Sequence, residues 1–183
     1  RGLGDVYKRQ SSPYNYFYAI EAAKALGLDD TVKALSDTLA KYYTVGTGTD
    51  FWSGYGTSPD DLAMFILAMK TAGAYEEYTE DAFKLLETYY TESGYSNYGA
   101  NADSTALALA AYSLAGNTEK ADAVYDIFIK NFYDAETGGF KADYDEYYAT
   151  ADAVFALSLY MPIAEEDKQE STTAVSYTHL RAH

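Results

Sequence analysis

The sequence predicts an all-α fold: a partial α/α toroid of helical hairpins in inner and outer helix layers, with 43–45 residues per repeat. The first observation is a helix with no polar face, residues 106–111, which is typical of a buried helix. The second is that a Gly/Tyr loop, a polar cluster and such a helix recur together along the chain. The third is that all-apolar helices alternate with amphipathic ones, as expected if an outer layer covers an inner layer.

The repeat occurs four times, and its first copy, at residues 14–27, is degenerate. Matching Leu26, Thr71, Leu114 and Leu159 by their place in the unit gives spacings of 45, 43 and 45 residues. A period of this length with two helices per unit predicts stacked α-hairpins. Long Gly-aromatic connections favour a closed ring over an open superhelix with tight hairpins, and the segment would hold little more than half of such a ring. Strands that pair across the glycines would contradict this arrangement.

The bounds of the first three helices are predicted from the residues that begin or end them. Residues 14–26 form a helix that is ended by Gly27, and a second, amphipathic helix begins at Asp30. A connection over residues 44–59 then carries four glycines and the only tryptophan of the chain. Pro59 fits the first turn of a third helix, which runs to residue 72.

The remaining four helices continue the alternation. Residues 79–91 and 118–132 have apolar side chains three and four positions apart, which predicts amphipathic helices of the outer layer. Residues 103–115, closed by a glycine, and residues 149–161, ended by Pro162, are predicted as inner helices.

Both ends of the chain resemble translated sequencing-adapter sequence. The resemblance covers residues 1–10 and 175–183 and implies that these are non-native tails outside the fold. Residues 11–161 are then the partial toroid domain, and residues 162–174, which are polar and charged, are a linker. We therefore expect the chain to be a fragment of a longer bacterial protein.

Composition excludes several functions. With 28 acidic and 13 basic residues, the net charge of −15 argues against binding to nucleic acid. No apolar run reaches the roughly 18 residues of a membrane span. The chain has no Cys and both His residues lie in the last tail, so no Cys/His zinc site and no cofactor are implied. The absence of Cys fits a secreted bacterial protein, and we expect an extracellular or cell-surface location.

The repeat also carries a motif. A Gly-aromatic loop leads to the polar cluster Asn101-Ala-Asp-Ser-Thr105 and then to an Ala/Leu-rich helix. This pattern resembles the prenyltransferase and squalene-oxidase repeat, the toroid unit of terpenoid cyclases. Class II cyclases carry Asp-x-Asp-Asp-Thr-Ala, whose middle Asp protonates the substrate, and the resemblance gives this role to Asp103. Asn101 and Ser104 replace the other two acids, which removes the groups that would polarise Asp103. The alternative is that Asp103 is a helix N-cap.

A second, weaker motif lies further along the chain. Residues 134–139 resemble an oxygen-rich calcium loop, but they lack a full ligand pattern. A solvated turn is the favoured interpretation of this segment, and no metal site is predicted.

In a ring of this type, the N-termini of the inner helices lie at one face. Their acidic and hydroxyl side chains would then gather around one mouth, with Thr150 among them, and the aromatic loops would surround it. Asp103 is the candidate catalytic residue at this mouth. The candidate ligand-binding residues are Trp52, Tyr55, Asp60, Asp61, Tyr95, Tyr98, Ser104, Thr105, Phe140 and Asp152.

These features favour a non-catalytic ligand- or partner-binding domain of a bacterial surface or secreted protein. The predicted ligand is a glycan or an apolar small molecule, because exposed Tyr is stiff and amphipathic. The structural alternative is that the loop tyrosines pack at the ends of the helices. Two enzymatic alternatives stay open: a terpenoid cyclase- or prenyltransferase-like enzyme with Asp103 as the general acid, and a glycan-active α/α-barrel enzyme with paired carboxylates.

Overall fold

A computed structural model describes residues 12–51, 56–97, 99–141 and 146–180, with no side-chain description at 146–147 and 166–180. This part of the chain is all-α apart from short pairings in the connections, as predicted. It contains α1 (Pro13–Ala25), α2 (Asp29–Leu39), a 3-10 turn (Ala40–Tyr42), β1 (Tyr43–Thr44), β2 (Gly48–Thr49), α3 (Pro59–Ala72), α4 (Glu76–Glu87), β3 (Tyr90–Thr91), β4 (Gly94–Tyr95), α5 (Ala102–Leu114), α6 (Thr118–Phe132) and α7 (Glu146–Leu180).

The helices form two layers. Helices α1, α3, α5 and α7 pack side by side in that order, and α2, α4 and α6 pack against α1, α3 and α5 respectively. All residues from Leu62 to Met69 of α3 and from Ser104 to Ser113 of α5 are buried, so these helices are enclosed on every side. The absence of a polar face in both helices has this physical cause, because no side of either helix meets water.

The inner layer curves until its first and last helices meet. The rings of Phe17 in α1 and Phe155 in α7 lie 5.7 Å apart in an edge-to-face arrangement. The first and last inner helices therefore touch through this one ring pair. Closure of this layer into a ring around a cavity stays a prediction.

The inner helices share one set of ends. Their N-cap residues are Ser12, Ser58 and Asn101, and a left-handed glycine follows each helix at Gly27, Gly73 and Gly116, with φ of 67°, 69° and 70°. The amide of each glycine donates to a carbonyl three residues earlier. These matched ends give spacings of 46 and 43 residues, so the match of Leu26 to Thr71 is wrong by one position. Leu26 is adjacent to its glycine, whereas Thr71 is two residues before its own.

Asn101, and not Asp103, caps α5. The Oδ1 of Asn101 accepts a hydrogen bond from the backbone amide of Ser104 at 3.0 Å, and Ser58 Oγ accepts one from Asp61 in the same way in α3. Asp103 is the second residue of α5, two positions after the N-cap. The N-cap interpretation of Asp103 was therefore wrong by two positions, and Asp103 lies in the first helical turn.

Strands do pair across the glycines, contrary to expectation. Tyr43 pairs with Thr49, Tyr90 pairs with Tyr95, and an isolated bridge joins Tyr133 to Phe140. The named strands are only two residues long, and they lie within the connections that follow α2 and α4. They coexist with the helical layers because each pairing turns the chain back from an outer helix toward the next inner helix.

The Gly-aromatic loop is tied to the helix that follows it. The amide of Tyr95 donates to Thr105 Oγ1 at 3.0 Å, and the amide of Phe140 donates to Thr150 Oγ1 at 3.2 Å, ten residues later in both cases. Gly94 has φ of 128°, and a Cβ placed there would lie 2.5 Å from Thr105 Oγ1. The recurring Gly-aromatic and Thr elements of the sequence are thus a loop-to-helix contact.

Two helices have boundaries that differ from the prediction. Helix α4 covers Glu76–Glu87 in place of 79–91, because Glu76 and Glu77 favour an N-terminal turn and Tyr90–Thr91 pair as β3. Helix α7 continues through Pro162 to Leu180 and does not end at the proline. Pro162 removes one backbone hydrogen bond of the helix. The helix continues because the residues that follow are rich in Ala, Glu, Lys and Gln, which favour helix. The role of residues 162–174 as a linker stays a prediction.

Tyrosine hydroxyls bond to acids of the outer helices. Tyr75 donates to Asp37 at 2.8 Å and Tyr160 donates to Asp122 at 2.6 Å. Tyr112 of α5 donates to Glu87 of α4 in the same manner. We call these three pairs the tyrosine clasps: Tyr75–Asp37, Tyr112–Glu87 and Tyr160–Asp122. These three tyrosines are therefore structural, with the hydroxyl bonded to an acid of a preceding outer helix.

Candidate functional site

Acidic side chains converge where the inner helices begin. Asp60 and Asp61 lie in the first turn of α3, Asp103 lies in the first turn of α5, and Asp152 lies further along α7. Tyr14 of α1 belongs to the same group, because the charges of all four carboxylates act on its hydroxyl. We call these five residues the acidic mouth. The fold thus brings together the four acids that the sequence placed at one mouth.

Asp60 is a half-buried acid at the centre of the mouth. Burial raises the pKa of Asp60 to about 6, a hydrogen bond from Ser104 opposes the rise, and the charges of Asp61 and Asp103 add to it. Its Oδ1 is inaccessible to solvent and has no hydrogen-bond partner among the described residues. A shielded carboxylate oxygen of this kind is ready to accept a hydrogen bond from a bound group.

Asp152 is a second acid with an elevated pKa. Burial raises the pKa of Asp152 to about 6, and the charges of Asp103 and Asp60 raise it further. The residue is half-buried and comes from a different helix than either neighbour. Two carboxyl groups of the mouth therefore change protonation near neutral pH, where an isolated Asp would stay ionised.

Tyr14 gives the mouth a hydroxyl donor. Burial raises the pKa of Tyr14 far above its ordinary value, and the charge of Asp60 is the next largest cause. Burial also raises the pKa of the more exposed Tyr18, with a contribution from Asp152. Both phenols are protonated at neutral pH and can donate to an acceptor on a ligand.

Sequence reasoning missed Tyr14 and Tyr18. The signal was present, because Tyr14 is the second residue of α1, just as Asp60 and Asp103 are the second residues of α3 and α5. The degenerate first copy hid this equivalence, since it lacks the acidic cluster by which the other copies were recognised.

Ser104 and Thr105 are both buried beside the mouth. The Ser104 hydroxyl bonds to Asp60, which fixes the orientation of that carboxylate. The Thr105 hydroxyl accepts from the Tyr95 amide and donates to the Asn101 carbonyl at 2.7 Å. Thr150 takes the corresponding place in α7. The Thr105 and Thr150 hydroxyls thus tie the loops to the first turns of the helices, and their hydrogen bonds are explained by the fold without a ligand.

Two of the candidate ligand-binding aromatics, Tyr95 and Phe140, lie in the core. Tyr95 is 1% exposed and its hydroxyl points to Glu87 at 3.3 Å, while Phe140 is buried and stacks on Phe128 with ring centroids 4.6 Å apart. Burial on this scale removes both rings from a surface that a ligand could reach. Trp52, Tyr55 and Tyr98 lie outside the described residues.

The segment that resembled a calcium loop is a turn. Asp134 Oδ1 accepts the amide of Glu136 at 2.9 Å, and this backbone hydrogen bond lowers the pKa of Asp134. Within the described residues, no group of three or more His, Cys, Asp or Glu side chains is placed to hold a metal ion. In the same part of the chain, no helix combines the length and apolar character that crossing a bilayer requires.

No family model, curated protein or solved structure matches this chain. The resemblance to the prenyltransferase and squalene-oxidase repeat, like the resemblance of the chain ends to adapter sequence, stays a prediction.

Proposed function

We propose that this chain is a non-catalytic binding domain of a bacterial surface or secreted protein, and that it holds a hydroxyl-rich ligand such as a glycan at the acidic mouth. The observation that carries the proposal is the convergence of Tyr14, Asp60, Asp103 and Asp152 from four different helices. Polar groups that converge from separate elements on one point are the usual architecture of a ligand site.

The chemistry of the mouth favours a ligand that donates hydrogen bonds. Carboxylates accept from sugar hydroxyls, and the shielded Oδ1 of Asp60 gains most from such a donor because water does not reach it. An apolar ligand fits less well, because it would remove the ionised acids from water without replacing their hydrogen bonds. The net charge of −15 further disfavours anionic glycans.

Isothermal titration calorimetry tests this function with neutral oligosaccharides of glucose, xylose and N-acetylglucosamine, and with farnesol as the apolar probe. We expect saturable binding of at least one oligosaccharide and a loss of affinity of about tenfold in Asp60→Asn. Asp30→Asn, an exposed acid in the first turn of α2, is the matched control and leaves affinity unchanged. Binding of farnesol alone, or of no probe, contradicts the proposal.

One observation favours a second candidate, a glycan-active enzyme. The pKa values of Asp60 and Asp152 are both raised to about 6, and Asp103 lies close enough to influence each of them. A protonated carboxyl beside an ionised one is the pairing that glycosidic bond hydrolysis uses, as general acid and as base or nucleophile. This arrangement supports paired carboxylates better than a lone Asp103 general acid of the cyclase type.

Product analysis separates the two candidates. Release of reducing ends from the same oligosaccharides, lost in both Asp60→Asn and Asp152→Asn, would establish catalysis. Binding without release would leave the non-catalytic domain as the function.

A further inference from the structure

The charges that act on Asp60 and Asp152 are all negative. The carboxylates of Asp61 and Asp103 act on Asp60. The carboxylates of Asp103 and Asp60 act on Asp152, which belongs to a different helix. No basic side chain among the described residues contributes at either acid. A cation placed between Asp60 and Asp152 would therefore replace repulsion between like charges with attraction.

The lysines of the inner helices lie at the opposite end of the layer. Among the described side chains of these four helices, the lysines are Lys24 and Lys70, in the last turns of α1 and α3. Lys24 donates there to the carbonyl of Thr71, and Lys70 pairs with Glu76. At a rise of about 1.5 Å per residue, Lys70 lies about 15 Å along α3 from Asp60, beyond the Debye length of about 8 Å at physiological ionic strength. The inner layer thus concentrates negative charge at the mouth.

The start of α7 does not explain Asp152. It is the seventh residue of this helix, beyond the first turn in which an acid stabilises the helix dipole. Thr150 and Thr105 make the same hydrogen bond to the preceding loop, and matching them places Asp152 at the position of Leu107. Leu107 is buried and apolar, whereas Asp152 is a half-buried carboxylate beside Asp103. The repeat therefore carries an acid where packing alone favours an apolar residue.

Asp60 supplies an acceptor without a donor. Its Oδ1 is closed to solvent and receives no hydrogen bond from the described residues, although Ser104 bonds to the same carboxylate. A shielded, ionised oxygen without a donor costs free energy, and a donor carried by a ligand removes this cost. A change of side-chain rotamer at the mouth, which is common on binding, gives such a donor access.

These acids do not depend on the first or last helix for their position. Asp60 and Asp103 belong to α3 and α5, and each of these helices has an inner helix packed on both sides. Asp152 lies on α7, which packs against α5. Further helices before α1 or after α7 would leave the packing of α3, α5 and α7 against one another as it is.

We infer that the glycan held at the acidic mouth carries a free amino group, as oligosaccharides of glucosamine do, and that its ammonium group lies between Asp60 and Asp152. This inference rests on the proposed function and names the class of glycan. An ammonium group brings a positive charge and three N–H donors, and its hydrogen bonds to carboxylates are about twice as strong as those of a neutral donor. Acetylation of the amine removes the charge and leaves one N–H donor, so oligosaccharides of N-acetylglucosamine are the matched neutral ligands.

Isothermal titration calorimetry of the full chain tests this inference with a glucosamine tetrasaccharide and an N-acetylglucosamine tetrasaccharide. At low salt we expect the glucosamine tetrasaccharide to bind about tenfold more tightly or better, and the difference to shrink in high salt through screening. Asp152→Asn should weaken binding of the glucosamine tetrasaccharide about tenfold and change binding of the acetylated one by less than about threefold. Asp30→Asn, the exposed acid of α2, leaves the preference unchanged. Circular dichroism confirms that each variant is folded.

The outcomes separate this inference from the proposed function. Equal affinity for the two tetrasaccharides, or a preference that Asp152→Asn does not change, would overturn the inference and leave glycan binding in place. Spermidine serves as an amine without a sugar, and if it bound as tightly as the glucosamine tetrasaccharide, the mouth would select charge alone and the amino sugar would be the wrong class. If no oligosaccharide of either kind bound, the proposed function would fail, and the inference with it.

Discussion

The tyrosine clasps and the acidic mouth both combine tyrosine with acidic side chains, but the pKa of the acid is shifted in opposite directions. At the Tyr112–Glu87 clasp, burial alone would raise the pKa of Glu87, but hydrogen bonds from Tyr112 and Lys120 lower it below the ordinary value. At the mouth, burial and neighbouring carboxylates raise the pKa of Asp60 to about 6. An acid that receives hydrogen bonds across the layers stabilises the fold, whereas acids that face each other are held at an energetic cost. Such a cost is typical of a functional site.

The largest effect is expected at Gly94, which links the two regions. Its strand carries Tyr95, whose hydroxyl reaches Glu87 and whose amide bonds Thr105 at the start of α5. Gly94→Ala should lower the free energy of unfolding by about 3 kcal/mol, because the new Cβ would overlap Thr105 Oγ1 at a φ that disfavours L-residues.

Gly99→Ala is the matched control for Gly94→Ala. Gly99 also has a positive φ of 114°, but no atom lies within 4 Å of the added Cβ. The control should lose about 1 kcal/mol, from backbone strain alone. Urea denaturation measures both variants, and equal losses would show that the close approach to Thr105 is unimportant.

The next largest effect is expected from removal of the Tyr112–Glu87 clasp. Glu87→Ala removes the acceptor of Tyr112, a buried residue, and the partner of Lys120 Nζ at 2.9 Å. We expect a loss of about 2 kcal/mol, since the hydroxyls of Tyr112 and Tyr95 both lose their charged acceptor. Glu80→Ala, an exposed position of the same helix, should change little in urea denaturation. If both variants were equally stable, the clasp would be a consequence of packing and not a source of stability.

The smallest expected effect is a gain in the free energy of unfolding, and it depends on the pH at which the acids of the mouth ionise. Asp60 and Asp152 have pKa values of about 6 in the folded chain, against about 4 when unfolded, so the folded chain takes up protons as pH falls from 6 to 4. Their contribution to the free energy of unfolding therefore increases over this window. Glu87, with a lowered pKa, contributes stability above its unfolded pKa and loses it as pH falls through its folded pKa.

Asp60→Asn should consequently stabilise the chain most at pH 7, less at pH 5, and not below about pH 4, where the carboxyl is protonated in the unfolded chain as well. We expect a gain of about 1 kcal/mol, reduced by screening because Asp60 is half-buried. Urea denaturation at pH 5 and pH 7, with Asp30→Asn as the control, measures the difference. A gain that is the same at pH 5 and pH 7 would mean that ionisation of Asp60 does not act against folding.

The sequence allowed the layers and most of the mouth to be predicted, because both depend on strong local signals. Helix α6 was predicted with its observed bounds, since its apolar positions and the polar segment before it are unambiguous. Asp60, Asp103 and Asp152 could be placed together because equivalent helix starts must share a face.

Other features depend on contacts that periodicity does not record. Strands of two residues are too short to show alternation, so the pairings of Tyr43 with Thr49 and of Tyr90 with Tyr95 could not be seen. The burial of Tyr95 follows from its contact with a different helix, not from the loop that contains it. The partners of Glu87 likewise come from residues distant in sequence.

The matched ends of the inner helices have a consequence for how this protein can diverge. Three inner helices have the same distance of fifteen positions between the N-cap residue and the glycine that follows the helix: Ser12 to Gly27, Ser58 to Gly73 and Asn101 to Gly116. The connections between them differ in length, since the stretch from Gly27 to Ser58 is three residues longer than the stretch from Gly73 to Asn101. Insertions and deletions are thus absorbed outside the buried helices. The connections between the inner helices can therefore change in length while the buried helices keep a constant one.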